Sequence, residues 1–154
     1  MTVSINGIAH IYITVQDFGA AMPFYRQLLG FLEMRCLVET AELYYCVGGR
    51  TGFGIRRAMR PEPFDQYRAG LHHVCFRARS REDVDAIAAK VVDFGGCIVN
   101  GPREDDWAPG YYSVLFEDPC GTRLEVNFVP GKGNFSPDVQ LPLPEAMQQR
   151  LSEP

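Results

Sequence analysis

The stretch GIAHIYITVQDFGAAMPFYRQLLGF at residues 7–31 is echoed by GLHHVCFRARSREDVDAIAAKVVDFGG at residues 70–96, and this echo decides the fold. Gly7-Ile8-Ala9-His10 recurs as Gly70-Leu71-His72-His73, and an internal repeat constrains architecture before any single element does. Each copy continues into a strand-like run, IYITV and then VCFRA, and each then reaches a residue able to cap a helix, Asp17 or Ser80. After Asp17 the residues Ala21, Phe24, Tyr25, Leu28 and Leu29 fall at helical spacing, with Gly30 as the expected stop. Pro23 removes one amide donor from that helix and marks a place for a kink. After Ser80 the acidic Glu82 and Asp83 lie in the first turn, where the helix dipole favours negative charge, and Gly95-Gly96 closes the segment.

Three strand candidates follow each helix, at 31–38, 42–48 and 52–58 and then at 96–100, 111–117 and 122–129, separated by Gly, Pro and Asp turns. The order is βαβββ twice, which predicts an α+β fold of two βαβββ modules forming one domain over residues 1–130. Module one takes 1–58, the Pro-containing stretch 59–69 is the linker, and module two takes 70–130. A Pro- and Gly-rich tail occupies 131–154, with a short helix expected at 144–151.

A chain of 154 residues buries enough apolar surface to fold without a structural metal or disulfides, so a metal here would serve function. The net charge of −4 speaks against nucleic acid, whose phosphates need excess Lys and Arg. The five cysteines are odd in number, contain no CxxC pair, and read as reduced thiols. The opening MTVSINGIAHIYITV has no basic leader and no apolar run is long enough to span a membrane, so the expectation is a cytoplasmic protein with no membrane partner.

Strand alternation puts His10, Tyr12 and Thr14 on one face, and His73, Cys75 and Arg77 on the equivalent face of the second module. In TRLEVNFV, Arg123, Glu125 and Asn127 share a face opposite Leu124, Val126 and Phe128. A carboxylate in mid-strand needs a cation, a salt bridge or a metal to offset its burial. Two imidazoles and one carboxylate, His10, His73 and Glu125, form a ligand set suited to Fe2+, Mn2+, Zn2+, Ni2+ or Co2+. Tyr12, Thr14, Arg77 and Asn127 are the candidate substrate contacts, beside Cys75. His72, by parity, points away from this face. The segment DDWAPGYYS, with Trp107, Pro109, Tyr111 and Tyr112, reads either as an aromatic rim over the cup or, the reading preferred, as an ordinary loop entering an aromatic strand.

The strings HIYITVQDFGAAMPFYRQLLGF, GLHHVCFRA and YYSVLFEDPCGTRLEVNF resemble the vicinal oxygen chelate superfamily, the glyoxalase, bleomycin-resistance and extradiol-dioxygenase group, over nearly the whole chain to about Pro130. The resemblance implies a cupped mixed sheet. It also implies a divalent metal on His10, His73 and Glu125, taken from the first strand of each module and the last strand of the second. The substrate would be a small oxygenated molecule that chelates the ion, and a homodimer is implied because such cups close within one chain or across two. A glyoxalase-like lyase or isomerase is the leading expectation, with Glu125 and Tyr12 in catalytic roles. An extradiol-type Fe(II) dioxygenase and a metal-free binding or resistance protein are the alternatives.

One departure is visible: between Glu42 and Glu62 there is no Asp or Glu, and Phe53-Gly54-Ile55 occupies the strand from which lactoylglutathione lyases take a further carboxylate. The ligand count therefore fits three-ligand members better. Tyr12 stands where the fosfomycin-resistance transferases carry Thr. For the second-shell histidine of extradiol enzymes this chain offers only His72.

Overall fold

Asp17 starts the first helix by accepting a hydrogen bond from the Ala20 amide, at 2.9 Å, in extended backbone. The structure is a computed structural model that describes residues 2–132. The expected helix at 144–151 and all but the first two residues of the tail lie outside the described residues.

Module one comprises strand β1 (His10–Val15), helix α1 (Phe18–Phe31), β2 (Arg35–Glu39), β3 (Leu43–Gly48) and β4 (Thr51–Arg57). Module two comprises β5 (Val74–Arg77), α2 (Arg81–Val91), β6 (Cys97–Asp105), β7 (Tyr111–Glu117) and β8 (Arg123–Phe128). The sheets have orders β1-β4-β3-β2 and β5-β8-β7-β6, with the outer pairs β1–β4 and β5–β8 parallel and the rest antiparallel. The repeat read from the sequence is thus a repeat of topology, and the fold is the expected α+β pair of βαβββ units.

Three boundaries differ from expectation. Gly30 does not stop α1, which runs on to Phe31 and closes when Glu33 takes the left-handed conformation at φ 56°. There the Met34 amide donates to Leu29 O and the Glu33 amide to Gly30 O, the pairing usually closed by a glycine. The helix and its turn take the residues expected to begin β2, which starts only at Arg35. β6 runs past Gly101-Pro102, read as a break, because it is the outer strand of its sheet and register shifts absorb the proline. Pro23 sits within α1 without ending it. α2 behaves as its sequence predicts, with Ser80 accepting from the Asp83 amide and Gly95 turning at φ 95°.

A single core joins the two modules. Phe24, Tyr25, Leu28 and Leu29 of α1 are fully buried among Phe53, Ile55, Val114, Phe116 and Leu124. The rings of Phe24 and Phe116 lie 6.4 Å apart and those of Phe53 and Phe76 5.2 Å, so each pair crosses from one module to the other. Burying one such side chain contributes about 1.5–3 kcal/mol. A buried polar contact adds to them: the Tyr25 hydroxyl donates to Asp118 Oδ2 at 2.7 Å, while Asp118 Oδ1 accepts from the Cys120 and Thr122 amides. The face of the second sheet opposite the core carries Tyr111, Ser113 and Glu125, which are themselves buried. No helix of the described residues is long and apolar enough to cross a membrane.

Candidate functional site

Glu125 lies in the inner strand β8 and is 9% exposed, so its carboxylate must be satisfied by protein groups. It is. The Tyr111 hydroxyl donates to Oε1 at 2.5 Å, and His73 Nε2 stands 3.1 Å from Oε2. Ser113 lies two residues along β7 from Tyr111, on the same face of the strand. Burial opposes ionisation of Glu125, but the hydrogen bonds from His73 and Tyr111 and the nearby imidazole outweigh it and hold the carboxyl below the usual range. For Tyr111, burial first and the bond to Glu125 second push the phenol well above its ordinary value.

A carboxyl lowered in the folded state stabilises the fold at neutral pH, and that contribution is lost as pH falls through the lowered value. The metal-free protein is therefore expected to lose stability more steeply than Glu125→Gln on acidification from about pH 6 to about pH 3, as read by denaturation midpoints.

His73 precedes β5, whose pairing begins at Val74. Strand parity does not extend to His72, and its ring does not point away: His72 Nδ1 and His73 Nδ1 share a hydrogen bond of 2.7 Å. A neutral His73 that donates through Nε2 must accept at Nδ1, which makes His72 the donor. Tyr111 is not among the site candidates read from the sequence, where its segment reads as a loop entering an aromatic strand in preference to a rim over the cup. Its signal was present, since Tyr111 and Ser113 alternate on the face of β7 that neighbours Glu125 and Asn127 on β8.

The other candidates lie elsewhere. His10 meets the Tyr12 ring edge-on, centroids 5.4 Å apart. Tyr12 and Thr14 line a cavity of about 310 Å³ together with residues of the 58–71 segment, including Arg60, Phe64 and Arg68. Arg77, in register with Asn127 across β5–β8, borders a second cavity of about 510 Å³ with Phe128 and Lys132. His73 and Glu125 line neither cavity. Among the described residues no three His, Cys, Asp or Glu side chains converge to hold a metal. The structure thus brings His73 and Glu125 together within the chain and leaves His10 apart from them.

The missing fourth carboxylate has a structural counterpart. Cys75 pairs with Glu125, and the repeat-equivalent pair in module one is Tyr12 with Gly54. A Cβ added to Gly54 would collide with the Tyr12 ring, and one added to Gly52 with the Tyr45 hydroxyl. Where Glu125 stands in module two, module one therefore has an aromatic ring lying over bare backbone.

Comparison with known proteins agrees with this architecture. A model of the Glyoxalase/Bleomycin resistance protein/Dioxygenase superfamily matches residues 7–126. The chain is 25% identical over 132 residues to a virulence protein of Salmonella typhimurium LT2, covering 80% of this chain and 84% of that one. Among solved structures it resembles a glyoxalase/bleomycin resistance protein of Albidiferax ferrireducens, with TM-score 0.66, 25% identity, and 80% and 98% of the two chains covered. It shares the fold of a lactoylglutathione lyase of Agrobacterium tumefaciens, with TM-score 0.60, 23% identity, and 80% and 94% covered.

Proposed function

The chain belongs to the Glyoxalase/Bleomycin resistance protein/Dioxygenase superfamily, and from that membership we propose a divalent-metal-dependent enzyme whose small oxygenated substrate chelates the ion, acting as a glyoxalase-like lyase or isomerase. The observation that carries this reading is the His73–Glu125 pair at 3.1 Å. Two ligand atoms each about 2.1 Å from one ion are about 3.0 Å apart in an octahedral site and about 3.4 Å in a tetrahedral one, so this spacing suits a shared cation. Tyr111 occupies the far oxygen of Glu125 and leaves Oε2 turned toward His73. His72 at His73 Nδ1 would orient the ring.

The third ligand of this proposal is His10 of a second copy, which makes the protein a homodimer with sites shared between chains. Support comes from the exposure of His10 on the repeat-equivalent face and from its separation from His73 and Glu125 in its own chain. A divalent ion held there supplies Lewis-acid polarisation of a carbonyl, enolate or hydroxyl oxygen. The protein's own part is to orient the substrate through Thr14, Arg77 and Asn127 and to move a proton at the Tyr12 hydroxyl. Unaltered turnover in Tyr12→Phe would remove that role. A cytoplasmic setting completes the proposal, supported by five cysteines present as free thiols.

Mixed dimers test the shared site. His10→Ala and Glu125→Ala homodimers are expected to take up no metal, whereas the purified heterodimer regains one intact site, formed by His10 of the Glu125→Ala chain with His73 and Glu125 of the other. A heterodimer as empty as its parents overturns the shared site. Gly54 favours a second reading, an extradiol-type Fe(II) dioxygenase, because it leaves two imidazoles and one carboxylate as the ligand set. Oxygen consumption on catechols separates the two. Full binding of a small ligand by metal-depleted wild type, with no turnover of either kind, would instead mark a metal-free binding protein.

A further inference from the structure

The antiparallel pair β2–β3 sets two cysteines opposite one another, and the proposed metal chemistry uses neither. Cys36 of β2 is the register partner of Cys46 of β3. Directly opposed residues of antiparallel strands point to the same side of the sheet. Their Cα atoms lie about 4.5 or about 5.5 Å apart, according to whether the pair is the narrow or the wide kind. Both separations fall within the roughly 4.4–6.8 Å that a disulfide spans. The two thiols differ in access: Cys46 is fully buried, whereas Cys36 lies on the outer strand, all of whose residues are exposed. Just past Cys36 the register shifts, so that Val38 pairs with Tyr45. A bulge of this kind interrupts the ladder and lets the outer strand adjust. Cys36 Sγ donates to Val38 O at 3.5 Å, a weak bond that is given up if Sγ turns to Cys46. The other two strand cysteines face carboxylates instead, Cys75 opposite Glu125 and Cys97 opposite Glu117.

We infer that Cys36 and Cys46 are a redox modification site, closing a reversible disulfide under hydrogen peroxide, with Cys36 oxidised first and Cys46 resolving it. The Cys36 thiolate attacks one oxygen of the peroxide, the O–O bond breaks, and hydroxide leaves and is protonated to water, which gives the sulfenic acid. The Cys46 sulfur then attacks the sulfenic sulfur. The S–S bond forms, the S–O bond breaks, and the hydroxyl departs with the Cys46 proton as a second water. Two thiols lose two electrons in all, and one peroxide becomes two waters. Access sets the order, because Cys36 is open to peroxide and Cys46 is not. Burial also pushes the Cys46 thiol up, which keeps it protonated and inert to peroxide until a sulfenic acid stands opposite it. Held in register with its target, it closes the bond without a diffusional search. Reversal begins when a small thiol attacks the exposed Cys36 sulfur. The bond pins the outer strand to β3 beside the bulge, where the ladder is interrupted, and so suppresses local opening of that edge. A transient, redox-sensing disulfide is the kind that a reducing cytoplasmic setting permits.

The test treats the full-length protein, freed of reductant, with hydrogen peroxide, then denatures it in N-ethylmaleimide to cap every remaining thiol and digests it with trypsin for mass analysis. Cleavage after Arg35 and after Arg50 places both cysteines in one peptide, Cys36–Arg50. That peptide is expected to carry neither cap and to be lighter by two hydrogens, and to regain both caps when dithiothreitol precedes the capping. Cys46→Ala removes the resolving sulfur and is expected to carry Cys36 on to the sulfinic acid, heavier by two oxygens. Cys36→Ser is expected to leave Cys46 reduced and fully capped. The wild-type peptide decides the matter even where a variant fails to fold. Wild type in which Cys36 gains oxygen while Cys46 takes its cap, in which Cys36 links to Cys36 of a second copy, or in which both caps persist at every peroxide dose, overturns the pair.

Discussion

Glu125→Gln will lower metal affinity by about 100-fold or more, above the 10- to 100-fold that loss of a mere supporting partner costs. The amide matches the carboxylate in shape but lacks its charge, and its nitrogen cannot accept the bond that Tyr111 or His73 now makes. His73→Ala should act in the same direction. Arg123→Gln is the matched control: Arg123 shares the strand and face of Glu125, but its guanidinium pairs with Glu117 at 3.1 Å. Elemental analysis of protein purified without a metal-affinity column reads all three. Full metal occupancy in both Glu125→Gln and His73→Ala would remove the proposed centre.

Tyr25→Phe will destabilise the protein by about 2 kcal/mol, lowering Tm by about 4–8 °C in calorimetry. The hydroxyl lies in the interior, and its loss leaves Asp118 Oδ2 buried without its donor. The carboxyl is already held above its usual range by burial, against the pull of the Tyr25 and backbone bonds, so losing one of those bonds raises it further. A double-mutant cycle with Asp118→Asn isolates the pair. Additive losses would mean that the two residues are stabilised independently.

The fold was legible because the repeat is written twice in residues that face the same way. GIAH and GLHH, the caps Asp17 and Ser80, and the alternation in TRLEVNFV each state a local preference that packing does not overrule. Gly30 and the Gly101-Pro102 step misled because their meaning depends on tertiary surroundings: Glu33 accepts a left-handed turn, and an outer strand tolerates a proline. The repeat and strand alternation name both His73 and Glu125, as two of three metal ligands rather than as a pair. They do not name Tyr111, because its contact crosses strands and depends on how far a ring leans along the sheet. His10 lies apart from His73 and Glu125 within the chain, and the shared site proposed above would depend on how two copies meet, which no periodicity within one chain encodes. The Gly54 departure was visible as a missing acid, but the ring lying over it was not, since that contact joins β1 to β4 across a sheet.

Because β7 sends Val114 and Phe116 into the shared interior and Tyr111 and Ser113 to the opposite face, one strand serves both structure and chemistry. Strain introduced at α1, far from the carboxylate, would travel through Phe24 and Phe116 into the strand that holds the phenol against it. The halves are therefore not separable parts that evolution or an engineer can exchange freely. A graft of either one must carry its interlocking aromatic neighbours, or the transplanted acid will lose its bearings.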